Sequence, residues 1–227
     1  TVWDPRSWHQ LYNNPKSTFT ADHPGDRFRS PIAAPRIDVY LPADGKGIKG
    51  YFQGKAMEKA GAKVPSANRI TLLRDANSDG KPEVRSKFIE GLNSPFGMAL
   101  AGKNFYVANT DSVLRFDYAP GVTEIKQPGT KLAELPGGPL NHHWTKNLIA
   151  CPKGDKLYAT VGSNSNVAEN GMAAEERRAA ILEIDANSGT VRIFASGLRN
   201  PNGMDWNPQS GALWTVVNER DELGNNL

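Results

Sequence analysis

The chain has a single cysteine, Cys151, in 227 residues, so no internal disulfide can staple it. That scarcity leaves the redox compartment open, because many exported proteins have no bridges. No run of 18 apolar residues occurs, which excludes a membrane-spanning helix, and the first residues hold no apolar core of the signal-peptide kind. Charge of one sign is also lacking. Lys and Arg number 27 against 24 Asp and Glu, for a formal net charge of +3, and the basic residues are scattered. A nucleic-acid partner is therefore not expected. Histidine is sparse: His9 and His23 lie far from the adjacent pair His142 and His143. Helical periodicity is scarcer still. The main candidate, NVAENGMAAEERRAA at 166–180, is too short and broken to anchor an α/β layer.

Glycine and proline are plentiful, 22 and 16 residues, and they punctuate short apolar runs. NFYVANTDSVLRFDY (104–118) reads as a hairpin of Phe105–Ala108 and Val113–Phe116. KLYATVGS (156–163), AAILEIDANSGTVRIFASGL (179–198) and GALWTVVNE (211–219) continue the plan, and ANRITLLRDANSDGKPEVRSKFIEGL (67–92) precedes it. Strands arriving every ten or so residues without intervening helices predict an all-β fold. A repeat sharpens this expectation. GLNSPFGMAL (91–100) returns as GLRNPNGMDW (197–206), with a weaker copy around HHWTKNLIACPKGDKLYATVG between them. A period of roughly 50 residues holding four short strands is that of a β-propeller blade.

The first 44 residues do not follow the plan and read as an irregular flank. Residues 45–227 read as the propeller portion. An insertion at about 45–66 carries a short helix over 52–61, and RIDVYL (36–41) is the first strand-like run.

Several stretches could carry chemistry. NHHWTKN (141–147) offers a neutral imidazole as a general base, or a pair of loop histidines bonded to backbone. On a strand, neighbouring histidines would point apart, which disfavours a shared metal. Arg199 in GLRNP is rigidly placed before Asn200–Pro201, suiting a carboxylate, a phosphate or a quinone oxygen, or else a salt bridge between blades. NERDELGNN (218–226) gathers Glu219, Asp221 and Glu222 around a glycine turn, a setting for a hard cation or for a solvated acidic loop. DANSDGKPEVRS (75–86) opens like a calcium loop but has Ser86 where the bidentate glutamate belongs, so it reads as a turn. Asn164 in GSNSNVAEN (162–170) either lines a sugar pocket or caps the helix-like segment, and Cys151 reads as a packed core residue.

In order along residues 67–224, NRITLLRDANSDGKPEV, GLNSPFGMAL, YVANTDSVLRF, NHHWTKN, YATVGSNSN, GLRNPNGM and ALWTVVNERDELG resemble the sorbosone dehydrogenase-like branch of the soluble pyrroloquinoline quinone-dependent sugar dehydrogenases. The resemblance implies a six-bladed propeller, of which this chain holds three to four blades. Family members continue beyond the ERDELG loop, so the resemblance implies a fragment, or a ring completed by self-association. It implies transfer of a hydride from a sugar or sugar aldehyde to the quinone, with an external electron acceptor and a periplasmic or secreted setting. His143 would take the hydroxyl proton, Arg199 and Asn200 would contact the quinone, and Asp221 and Glu222 would hold Ca2+. His142, Asn93 and Asn164 would line the substrate side. Two other readings stay open: a truncated propeller serving as a binding module, and a calcium-dependent hydrolase of the lactonase type.

Overall fold

Each polar turn foreseen in the sequence joins two hydrogen-bonded antiparallel strands. The computed structural model describes residues 26–29, 55, 67–79 and 81–220. The strand-like run at 36–41 and, apart from Lys55, the helix expected at 52–61 lie outside the described residues, as do Asp221 and Glu222.

The described residues form an all-β, propeller-like stack of four sheets. β1 (Asp26–Arg29), β2 (Ile70–Arg74) and β3 (Val84–Ile89) make the first. The second is a meander of β4 (Gly97–Ala101), β5 (Asn104–Ala108), β6 (Ser112–Asp117) and β7 (Thr130–Glu134). The third repeats it with β8 (Leu148–Ala150), β9 (Lys156–Val161), β10 (Ala180–Asp185) and β11 (Val191–Ser196). β12 (Pro201–Trp206) and β13 (Leu213–Val217) form the fourth. The repeated phrase therefore marks the opening strand of successive sheets, β4, β8 and β12.

Burial explains why these strands read as continuous apolar runs rather than alternating ones. Along β4 and β5, Met98, Leu100, Phe105 and Val107 pack against Ile70, Leu72 and Phe88 of the first sheet. Their neighbours Ala99, Tyr106 and Ala108 face Leu157, Ala159, Leu182 and Ile184 of the third. A sheet sandwiched on both sides needs apolar residues at odd and even positions alike. Along β4 the face toward the third sheet carries small residues, Gly97 and Ala99, and the opening strands come close. The Gly97 N–H donates to the Lys146 carbonyl at 2.9 Å, and a Cβ at Gly97 would lie 2.6 Å from that oxygen. Asn147 Nδ2 likewise donates to the Asn202 carbonyl at 2.5 Å, tying β8 to β12. The fourth sheet turns Trp206 toward Tyr158 of the third, while Trp214 and Val216 on β13 are 65% and 67% exposed.

Two expectations are corrected, and a third is narrowed. The helix-like stretch at 166–180 contains only a 3-10 turn, Met172–Glu175. Positive φ at Ala168, Gly171, Arg177 and Ala179 prevents a longer helix. Cys151 is half-buried, not core, and its thiol donates to Asp155 Oδ1 at 2.9 Å. His142 and His143 lie in a bend, so their rings do not point apart: they meet edge to face with centroids 4.6 Å apart. Among the described residues no helix is long and apolar enough to cross a membrane.

Candidate functional site

The site is built where loops from the second, third and fourth sheets converge. Its centre is His143. Nδ1 lies 2.8 Å from the Ser163 carbonyl oxygen and 3.1 Å from Ser163 Oγ. A carbonyl only accepts, so Nδ1 carries the hydrogen and Nε2 presents its lone pair. The main-chain N–H of His143 also donates to the Ser163 carbonyl, at 3.3 Å. Burial, and then the nearby His142, Arg199 and Arg178, push the His143 imidazole down to about 4, against the opposing pull of the Ser163 bond. The ring is therefore neutral at physiological pH.

Asn200 packs beside His143 across Gly162. Its Oδ1 is buried and has no hydrogen-bond partner. Leaving such an acceptor unsatisfied costs about 1–3 kcal/mol, and it suits a ligand donor or a hard cation. Gly162 lets the two side chains pack this closely: a Cβ there would fall against His143 Cβ and 2.5 Å from Asn200 Oδ1. The glycine ends β9, where the Ser163 N–H donates to the Arg199 carbonyl at 2.8 Å and so joins the third and fourth sheets.

Arg199 is buried and acts as a fork between loops. Nε and Nη2 donate to the Asn166 carbonyl and Oδ1 at 3.1 and 2.8 Å, and Nη1 donates to the carbonyls of Asn218 and Glu219 at 3.3 and 2.8 Å. These bonds hold the start of the acidic loop in place. They engage main-chain and amide oxygens rather than the carboxylate of a neighbouring blade. Asp221 and Glu222, at the far end of that loop, lie outside the described residues.

Asn164 is buried, and its amide is committed within the protein: Oδ1 accepts the His142 N–H at 3.3 Å, and Nδ2 donates to the Ala174 carbonyl at 2.8 Å. Its main-chain N–H and Ser165 Oγ both donate to Glu175, so the 162–170 loop wraps the 3-10 turn. Asn93 is exposed and donates to Asp111 Oδ2 at 2.8 Å, while its carbonyl accepts the Thr110 N–H at 3.1 Å. The 75–83 turn is self-satisfied. Asp75, Asp79 and Glu83 bring ligand oxygens within 4.8 Å of one another, but these accept the N–H groups of Asp79, Lys81 and Ala76.

Sequence reasoning missed the layer beneath His143. Asn141 Oδ1 accepts from Arg178 Nη2 at 2.6 Å and from Lys146 Nζ at 3.3 Å, while Asn141 Nδ2 donates to Thr110 Oγ1 at 2.7 Å. Arg178 also donates to the carbonyls of Gly162 and Pro136. The only sequence signal was Asn141 and Lys146 flanking the histidine motif.

Comparison with known proteins agrees with this architecture. A solved calcium structure of a Trichoderma reesei carbohydrate-active enzyme of family AA12 matches at 18% identity and a TM-score of 0.58, covering 92% of this chain and 53% of that one. The holo form of the pyranose dehydrogenase PQQ domain from Coprinopsis cinerea matches at 18% identity and a TM-score of 0.58, covering 69% of this chain and 40% of that one. An uncharacterized protein of Borreliella burgdorferi is 25% identical over 144 residues, 60% of this chain and 37% of that protein. The chain thus spans about half the length of these relatives or less, and at such identity the likeness to the solved structures is one of fold. The model of the TrAA12-like family matches residues 68–226, which takes in all three opening strands and every loop that meets at His143, and the chain belongs to that family.

Proposed function

We propose that this chain carries the proton-accepting part of a pyrroloquinoline quinone-dependent dehydrogenase of the sorbosone-oxidising kind, acting on a sugar or sugar aldehyde and passing electrons to an external acceptor. One observation carries the reading. His143 is a half-buried, neutral imidazole with Nδ1–H committed to the Ser163 carbonyl, and the unpartnered Asn200 Oδ1 lies beside it across Gly162. The relatives named PQQ domain and calcium structure support the same cofactor pair.

The residues present fit that pair. A buried amide oxygen suits a ring N–H or a hard cation, and Arg199 and Arg178 make the surroundings of His143 cationic, which favours a polycarboxylate. Asn200 and Arg199 would hold the quinone, and Asp221 with Glu222 would hold calcium. Bound quinone supplies a two-electron acceptor, polarised by calcium as a Lewis acid. The protein's own part is the proton. Nε2 of His143 accepts it from the substrate hydroxyl, and the Ser163 carbonyl stabilises the resulting imidazolium through Nδ1–H. His142, stacked edge-on against His143, and Asn93 at the rim line the substrate side. Asn164 acts by fixing the His142 main chain. We place the propeller portion over 45–227 together with β1, which pairs with β2, in a periplasmic or secreted protein.

Dye reduction with aldoses, in the presence of quinone and calcium, tests this reading. Turnover that His143→Ala abolishes supports it; absence of both turnover and quinone binding refutes it. A second reading has one observation in its favour: the exposed Trp214 and Val216 on β13 suit an interaction module. A stable self-associated species in light scattering, without quinone binding, would favour that reading instead.

A further inference from the structure

Among the described residues Lys146 is the one buried lysine, with a relative exposure of 0%. Its Nζ donates to the Trp144 carbonyl at 3.1 Å, Asn141 Oδ1 at 3.3 Å and the His143 carbonyl at 3.5 Å. An ammonium has three donors, and three acceptors surround this one. Two of them are main-chain oxygens of the histidine turn itself. The third, Asn141 Oδ1, is fixed in orientation, because Asn141 Nδ2 donates to Thr110 Oγ1 and Arg178 Nη2 donates to the same Oδ1. Thr110 Oγ1 closes the ring by reaching the Trp144 carbonyl at 3.3 Å.

This arrangement is costly for a fold that needs only stability. A well-packed apolar side chain of similar volume usually serves a core as well as a buried charge does, or better. Burial, and then Arg178, hold Lys146 well below the ordinary lysine range, with the Asp111 carboxylate opposing them. The backbone on either side of Arg178 is also strained, with φ of 56° at Arg177 and 50° at Ala179. Such costs collect where a local geometry must be held.

We propose that Lys146 is a positioning residue for His143: it grips the His143 and Trp144 carbonyls and so holds Nδ1 on Ser163, leaving Nε2 as the basic nitrogen. The role rests on His143 being the base, as proposed above, but the bond geometry can be tested without turnover. Side-chain 15N NMR of the full chain reads the His143 tautomer and titration with no cofactor added. The wild type should show one Nδ1–H tautomer, neutral down to about pH 5. Lys146→Met should give mixed tautomers and move the titration midpoint at least one unit toward its ordinary value, and Lys146→Arg should restore the wild-type spectrum. In quinone-loaded protein, Lys146→Met should lower kcat about tenfold, with KM changed less than twofold, because misplacing a reacting group by a fraction of an ångström raises the barrier without weakening binding. A Lys146→Met protein with the wild-type tautomer and midpoint overturns the proposal, whatever its melting temperature. Should that variant not fold, Thr110→Val removes the hydroxyl that orients Asn141 and should shift the His143 spectrum in the same direction; an unchanged spectrum overturns the proposal. A wild type that shows the expected spectrum but no dye reduction defeats the dehydrogenase reading and leaves the positioning claim to the spectra.

Discussion

Replacing Gly162 with alanine adds one methyl group at the most crowded point of the candidate site. Gly162 does not adopt positive φ, so the cost is steric rather than conformational. The new Cβ would lie 2.5 Å from Asn200 Oδ1 and against His143 Cβ, where ordinary contact begins at 3.4 Å. One of the two side chains must therefore retreat by about 1 Å, and neither is the end of a long flexible chain. Overpacking of this kind costs about 1–3 kcal/mol. In a domain of this size that corresponds to a fall in Tm of roughly 3–10 °C. A displacement of about 1 Å between a base and the group beside it costs on the order of 10²-fold in rate. Thermal unfolding of Gly162→Ala, together with dye reduction in the presence of quinone and calcium, measures both effects. An unchanged Tm would refute the packing described around Gly162. A lowered Tm with wild-type turnover would refute the assignment of His143 and Asn200 to the reacting site.

Other expectations follow from the same geometry. His143→Gln should lower kcat by about 10²–10⁴-fold, the range for a lost general base, with far-UV circular dichroism unchanged. The acid limb of the kcat profile should fall near pH 4, since His143 is pushed down to about 4. The same depression makes stability fall with acid. An unfolded histidine takes its proton near pH 6.5 while the folded one resists until about 4, so denaturant melts should show stability decreasing between those values on this account and levelling below. Glu183 works with the same sign in a lower pH window. Burial alone would raise its carboxyl, but bonds from Arg192, Lys156 and Tyr158 outweigh burial and hold it at about 2. Its contribution is present above about pH 4.5 and is lost as pH falls toward 2. Glu183→Gln should thus cost about 2 kcal/mol in urea melts at pH 7 and far less near pH 2.

The architecture was legible because a buried sheet writes its burial into the chain. β5, β9 and β10 read as apolar runs bounded by Asn, Asp and Gly turns, and the doubled phrase marked the opening strands at Gly97 and Pro201. His143 was legible by residue type, being one of few groups that can move a proton near neutral pH. What the sequence could not convey came from packing between sheets. Thr110, Asn141, Lys146 and Arg178 meet only because loops of the second and third sheets converge, and nothing local marks a lysine as enclosed. Gly162 looked like any glycine at a strand end, since its importance lies in what a Cβ would strike. The helix-like stretch at 166–180 is broken, as its sequence suggests: positive φ at four positions from Ala168 to Ala179 leaves one 3-10 turn. The histidine pair was misjudged because alternation holds on strands, and these residues sit in a bend.

The central claim is that Asn200, beside His143, would hold the quinone. Quinone titration followed by absorbance, with calcium and with chelator, on the wild type and on Asn200→Ala, tests it most directly. The account predicts saturable, calcium-dependent binding by the wild type and at least tenfold weaker binding by Asn200→Ala, whose buried amide oxygen is gone. Absence of binding by the wild type, or equal binding by both proteins, would contradict it.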